Sequence, residues 1–273
     1  MLLVASFARA NDPATTQPNG KLKIGVLVSQ YTATGPYLGG GKPYGYDHTK
    51  IADDLRDDTI QLIPIIEPGS ETDTELADAI KERFPDSEGQ VYLVNDGAAL
   101  KSMSAIVLAR VPNIKEDALA GIHAAASEGT PLLIVGRAGN VNPGYKEQKV
   151  RDLVGMSEAE YAWAPRPQPA EVLDAAHPLI KDLLTEGQQF NVQPAGALGK
   201  LVDGSKPLIK LNPQELRRPD AVEQNDIDFY PLYTTNLGKG KVVVCNWTTA
   251  PSVLKTEKFY VRCLHYLTMS EKK

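Results

Sequence analysis

An α/β sandwich is the architecture this sequence predicts, with a mainly parallel central sheet and an antiparallel extension on one side. Three observations carry it. Short β-branched apolar runs alternate with amphipathic stretches from Lys21 to Gly136. Those runs are apolar at successive positions, as suits strands covered on both faces, and strand-helix alternation implies right-handed crossovers between parallel strands. After Tyr145 the alternation gives way to proline-broken segments and a hairpin, which is where antiparallel strands enter.

Taken in order, the strands are "KIGVLV" (23–28), "TIQLIPII" (59–66), "QVYLV" (90–94), "AIVLARV" (105–111) and "PLLIVG" (131–136). Helices fall between them. "DHTKIADDLRDD" (47–58), with Asp47 as its N-cap, and "DTELADAIKERF" (73–84) carry Ile51/Leu55 and Leu76/Ile80 one turn apart. "NIKEDALAGIHAAASEG" (113–129) has Asn113 as a cap, Glu116 three residues on as in a capping box, Leu119, Ile122 and Ala126 on one face, and Gly129 as its stop. Further on, "AWAPRPQPAEV" (162–172) is too proline-rich for long regular structure, and "HPLIKDLL" (177–184) predicts a short helix. "PLIKLNP" reads as a strand, and "FYPLYTTNLGKGKVVVCNW" as a hairpin turning at Gly238-Lys239-Gly240 before a final helix. One domain over residues 21–270 accounts for all of this.

The first twenty residues differ from the rest. Leu2 to Phe7 is a short apolar run and Ala8-Arg9-Ala10 an A-x-A pattern, so residues 1–10 are expected to be a secretory signal peptide and 11–20 a disordered spacer. The run lacks a basic n-region, so its start is expected upstream of Met1. Export implies a periplasmic or extracellular protein. No later window approaches a membrane span. The 273 residues are 42% hydrophobic and 23% charged with a net charge of −5, and no basic cluster suits a phosphate backbone, which excludes nucleic acid as a partner. Cys245 and Cys263 read as small buried hydrophobes whose pairing the sequence leaves open. Two cysteines and four scattered histidines give no zinc spacing, and nothing calls for a cofactor.

The run "SAIVLARVPNIKEDALAGIHAAASEGTPLLIVG" (104–136), with "AAHPLIKDL" and "GKGKVVVCNW" further on, resembles the class I glutamine amidotransferase-like superfamily. The similarity is to the branch of ThuA-like proteins and β-galactosidase trimerisation domains, and it spans most of residues 22–267. It implies a flavodoxin-like three-layer sandwich. Working amidotransferases hold a nucleophilic cysteine in the elbow after the strand and a histidine after a late strand. Here Gly136, Arg137, Ala138 and Gly139 stand at the first place, and Thr248 and Thr249 at the second. The resemblance therefore implies no glutaminase activity.

Other chemistry is left open, because open α/β sheets bind ligands beyond the carboxyl ends of their strands. The loop at residues 29–48 begins there, with Gln30 and with Tyr31, Tyr37, Tyr44 and Tyr46 interleaved with glycines. These tyrosines suit a sugar face, or else pack on the protein. Its glycines match neither nucleotide-binding pattern. Asp47 and His48 offer an acid-base pair, or simply start a helix. Asn95 and Arg110 end strands on the same edge, and Arg137 suits a carboxylate ligand or a neighbouring Asp. His123, His177 and His265 read as structural or solvated. Two functions follow: a secreted non-catalytic binding or assembly domain linked to carbohydrate metabolism, or a ThuA-like enzyme acting on a sugar or polyol. A carbohydrate or small carboxylate is the expected ligand, and a homo-oligomer or larger assembly the expected context.

Overall fold

The computed structural model describes residues 20–35, 45–212, 216–217, 228–247, 249–255 and 258–269. The leader, residues 11–19 of the spacer, Tyr37, Tyr44 and Thr248 lie outside the described residues. In the first half, β1 (Leu22–Val28), β2 (Ile60–Ile66), β3 (Tyr92–Leu93), β4 (Ala105–Asn113) and β5 (Leu132–Asn142) alternate with α1 (Gln30–Thr34), α2 (Ile51–Leu55), α3 (Thr74–Arg83), α4 (Gly97–Lys101) and α5 (Glu116–Glu128). The second half adds α6 (Gln148–Leu153), β6 (Met156–Trp163), β7 (Gln168–Val172), β8 (Gln189–Val192), β9 (Ala195–Leu201), β10 (Lys206–Leu211), β11 (Leu232–Leu237) and β12 (Gly240–Cys245). Helices α7 (Ser252–Lys255) and α8 (Phe259–Thr268) follow.

Ten strands form one sheet in the order β3-β2-β1-β4-β5-β12-β11-β10-β7-β8. From β3 to β12 every neighbour is parallel, and from β12 to β8 every neighbour is antiparallel. Parallel strands are buried on both faces because crossover helices cover both. Along β5, Leu133 and Val135 enter the core shared with α2 and α8, whereas Leu132 and Ile134 enter the core shared with α5 and α6. This is a flavodoxin-like α/β sandwich with an antiparallel extension.

Local signals hold where tertiary pairing agrees with them. Asp73 caps α3 through the Leu76 amide at 3.1 Å, and Gly129 ends α5 at φ +132°. Three expectations are corrected. Asn113 does not cap α5: it is the last residue of β4, paired with Asn142, and the helix starts after Lys115 with no side-chain cap. Residues 47–58 are not one helix. A 3₁₀ turn (Asp47–Lys50) leads into α2, and Asp47 lies inside that turn as its first residue. Residues 177–184 form successive turns, with Asp182 at φ +67° breaking helical geometry.

The two-stranded ribbon β6-β9 has no counterpart in the sequence reading, and neither do β8 and the short helices α1, α4 and α6. The ribbon's buried residues split between the cores: Tyr161 and Ala197 face one, Ala162 and Leu198 the other.

Ile134 is fully buried between neighbouring parallel strands. Ile134→Asp places an unpaired carboxylate there and is expected to cost at least about 3 kcal/mol in urea denaturation. A loss below about 1 kcal/mol contradicts the register.

Candidate functional site at the carboxyl ends of the strands

Beyond the parallel sheet, β4 and β5 outrun their neighbours and stay paired to Asn113 and Asn142. The rim has two halves, one on each side of this arm.

On the first half, α1 is tied down by its own backbone. The Ser29 hydroxyl accepts the Thr32 amide at 2.9 Å, and the Thr32 hydroxyl donates to the Asn113 carbonyl at 2.6 Å. The buried Glu67 carboxylate, directly after β2, accepts the Tyr31 amide at 3.0 Å and the Lys115 amide at 3.1 Å. Asp73 accepts the Gln30 side-chain amide and the Tyr46 hydroxyl, each at 2.8 Å. Burial opposes ionisation of Asp73, but the Leu76 amide, Tyr46 and Gln30 outweigh it and hold its pKa below the usual value. Burial first, and then the Asp73 carboxylate, push the Tyr46 phenol well above its ordinary range.

His48 belongs to this scaffold. Its ring is buried and Nε2 accepts the Ser29 amide at 3.1 Å, so the lone pair a general base would use is occupied. Burial brings its pKa down to about 4, with the Gly45 backbone and Asp47 offsetting in part. Asp47 turns outward and pairs with Lys50 at 2.7 Å. The two side chains therefore diverge and form no acid-base couple.

The second half centres on a β-bulge. Val135 pairs with Ala109 and Ala138 with Val111, so Gly136 and Arg137 together oppose the single Arg110. Gly136 takes φ +68° and Arg110 φ +53°, left-handed values that non-glycine residues seldom adopt. The turn expected here as an elbow is thus a bend within a strand that runs on to Asn142, and no helix begins at Arg137. The Arg137 guanidinium lies over the Tyr161 ring, 4.6 Å from its centroid.

Two backbone carbonyls stand close to Gly136. A Cβ built there would stand 3.2 Å from the Trp247 carbonyl oxygen, 3.7 Å from Arg110 Cγ and 3.9 Å from the Ala195 carbonyl oxygen. Trp247 is fully buried and its indole N–H donates to the Tyr260 hydroxyl at 2.9 Å. Asn246 fastens β9 over this point. Its side-chain oxygen accepts the Ala197 amide at 3.1 Å, and its nitrogen donates to the Ala197 carbonyl at 2.9 Å and the Tyr230 carbonyl at 3.1 Å.

Of the other candidates, Tyr31 meets Asn142 across the arm through its hydroxyl. Asn95 is exposed after β3, beside the Asp96 cap of α4. Gln30, Tyr31 and Tyr46 gather on the first half, whereas Arg110 and Arg137 gather on the second. A cleft of about 180 Å³ opens beside the first half, lined by Tyr46, Asp47, Thr49, Lys50, Ala79, Glu82 and Arg83. Among the described residues no three His, Cys, Asp or Glu side chains gather to hold a metal ion, and no helix is long and apolar enough to cross a membrane. Glu67 and Asn246 are the site residues the sequence reading missed. Each directly follows a parallel strand, a position that marks them as rim residues.

No family model and no curated protein matches the chain. Solved structures do. A ThuA-like protein from Parabacteroides merdae superposes with a TM-score of 0.53 at 10% identity, over 93% of this chain and 92% of that one. A cytoplasmic protein of Salmonella typhimurium, STM3548, gives 0.51 at 14% identity, over 90% and 98%. A β-galactosidase from Bacillus circulans sp. alkalophilus gives 0.53 at 10% identity, over 91% of this chain and 31% of that chain. At such identities the likeness is one of fold.

The His48 ring yields a pH test with a fixed sign. Its folded pKa of about 4 lies below the unfolded value of about 6.5. Above 6.5 both states are neutral there; between 6.5 and 4 only the unfolded chain takes the proton. Stability is therefore expected to fall by up to about 3 kcal/mol across that window. Replacement by glutamine, which keeps an acceptor near Ser29, should flatten the His48→Gln profile relative to wild type in denaturation at pH 7, 6, 5 and 4.5. His177, which burial also lowers, remains in both proteins. Parallel profiles would contradict the burial of a neutral His48.

Proposed function

We propose that this chain is an exported, non-catalytic α/β module that binds or assembles with partners in carbohydrate metabolism. The observation that carries this reading is how closely backbone approaches Gly136. At the strand ends where the fold holds ligands, the Trp247 and Ala195 carbonyl oxygens stand 3.2 and 3.9 Å from where a side chain on Gly136 would begin. The rim on the other side is likewise committed to its own backbone through His48, Glu67 and Asp73. A carbohydrate context is supported by the ThuA-like and β-galactosidase neighbours, the latter a much longer chain.

The cleft beside Tyr46 favours a second reading, a ThuA-like enzyme acting on a sugar or polyol. There a phenol backed by Asp73 stands near Lys50 and Arg83. For the leading reading, a small sugar or carboxylate rests on Tyr46 without being transformed.

One experiment separates the two. Glutamine and a panel of monosaccharides and polyols are incubated with the protein and followed by proton NMR, while amide shifts of Tyr46, Lys50 and Arg83 are recorded. The expected result is amide shifts in this cleft with every small molecule unchanged over hours. Turnover abolished by Tyr46→Phe would establish the enzyme instead, and the absence of any shift would leave assembly as the module's role. N-terminal sequencing of the native protein is expected to begin at or near Asn11; a mature chain retaining Met1 would overturn export.

A further inference from the structure

The ten-stranded sheet ends at β8. Among the described residues β8 pairs with β7 alone, in an antiparallel register that matches Pro169 with Asn191 and Ala170 with Phe190. Two backbone bonds fix which groups point where. The Val172 amide donates to the Gln188 carbonyl at 3.2 Å, and the Asn212 amide, just past β10, donates to the Pro169 carbonyl at 2.8 Å. Along β7, then, even-numbered residues bond to β8 and odd-numbered residues turn to the β10 side. By the same alternation Phe190 and Val192 bond back to β7, whereas the N–H and C=O groups of Gln189 and Asn191 point outward from the sheet. Pro169 has no N–H to give, and it stands opposite Asn191, where none is needed.

Edges that expose such groups are ordinarily blunted by charge, proline or a bulge. From Gln188 to Gln193 the chain carries no charged residue and no proline, and the β7-β8 register runs without a shift. The opposite edge of the sheet differs. There β3 has two residues, and its Leu93 carbonyl already receives the Asp96 amide at 3.0 Å. On β8, Gln189 and Asn191 are exposed, while Phe190 is half-buried against the core. The stretch open to pairing is bounded by Gly187, whose amide donates to the Val172 carbonyl at 3.1 Å, and by Pro194. Phe190 lies near its middle.

We infer that β8 pairs antiparallel with β8 of a second copy of this chain, about a two-fold axis through Phe190, joining two sheets into one. Such an axis makes the contact self-complementary. It sets Gln189 opposite the partner subunit's Asn191, and Asn191 opposite the partner subunit's Gln189. These are the residues whose backbone groups point outward, so each pair exchanges two N–H···O=C bonds. The two Phe190 side chains then meet at a non-bonded pair, where opposed Cα atoms come within about 4.5 Å. A charged residue at this position would face its own like charge across the axis; two phenyl rings instead add an aromatic cross-strand contact beside the core of each subunit. The inference deepens the assembly reading of the proposed function and rests on it for its use in the cell, while the geometry stands on β8 alone.

The test is sedimentation equilibrium of the full chain from about 1 μM to 1 mM, the range in which so small a contact is expected to dissociate. The mass is expected to rise with concentration toward twice that of one chain. Asn191→Pro removes an outward N–H and no bond to β7, so it is expected to keep the wild-type circular dichroism and stay monomeric throughout. Phe190→Cys, treated with oxidised glutathione, is expected to give a dimer linked through residue 190 that reductant separates, because the non-bonded pair sets the two Cα atoms within disulfide range. Should Asn191→Pro fail to fold, the link at residue 190 decides alone. A wild-type chain that stays monomeric, a dimer that folded Asn191→Pro leaves intact, or a Phe190→Cys chain that does not link would each overturn the inference. Any of these leaves the binding reading to the amide shifts at Tyr46, so the two fail separately.

Discussion

The Asn246 side chain is the clasp on which the strand ends depend. A single buried amide offers two donors and an acceptor, and here all of them meet backbone groups of Ala197 and Tyr230. Leaving any of these unmade in the interior would cost about 1–3 kcal/mol apiece, so the amide holds β9 in one register rather than several. The neighbouring backbone must yield to it: a Cβ at Gly196 would stand 2.1 Å from the Asn246 oxygen, which only glycine avoids. Fixing β9 brings the Ala195 carbonyl over the bulge. Trp247, the next residue after Asn246, completes the cover and is itself anchored by α8 through Tyr260. Sheet, ribbon and last helix thus meet above Gly136.

The bulge explains why a fold suited to ligand binding closes here. Two residues of β5 oppose one of β4, which bends β5, and Arg110 and Gly136 stand there in left-handed conformations. The bend lets β4 and β5 continue as an arm instead of ending at the sheet's edge. An arm continues strand pairing where a strand-to-helix turn would have opened a crevice. On its other side the arm receives α1 through Thr32 and Tyr31, so the two halves of the rim are held apart by the strand pair between them. Gln30, Tyr31 and Tyr46 accordingly share one neighbourhood, and Arg110 and Arg137 another.

How much of this was legible in the sequence depended on the range of the interactions involved. The parallel strands were readable because doubly apolar β-branched runs such as "PLLIVG" report burial on both faces locally. The stop at Gly129 was readable because its signal is equally local. Asn113 misled because its spacing to Glu116 fits a capping box, while pairing with Asn142, far along the chain, claimed it for β4. The ribbon escaped notice because "MSEAEYAW" and "AGALGKL" carry weak strand patterns and depend on each other across the intervening chain. At the site, the sequence identified the residues at the bulge but not what covers them. Nothing in "CNWTT" says that Trp247 turns inward and Asn246 reaches β9. His48 and Asp47 looked paired by adjacency, yet successive residues in a tight turn diverge, one inward to Ser29 and one outward to Lys50.

Trp247 itself reports most directly on whether the strand ends are closed. The chain has two tryptophans, and the other, Trp163, is half-buried with the Arg217 guanidinium 5.4 Å from its ring centroid. The Trp163→Phe variant therefore isolates Trp247, and acrylamide quenching of its fluorescence measures whether the indole stays packed against Tyr260 and Phe259, the contact that seats its backbone beside Gly136. A closed crevice predicts blue-shifted emission and quenching far weaker than in the denatured variant. Red-shifted emission, quenched nearly as strongly as in the denatured chain, would show the crevice open and contradict the account.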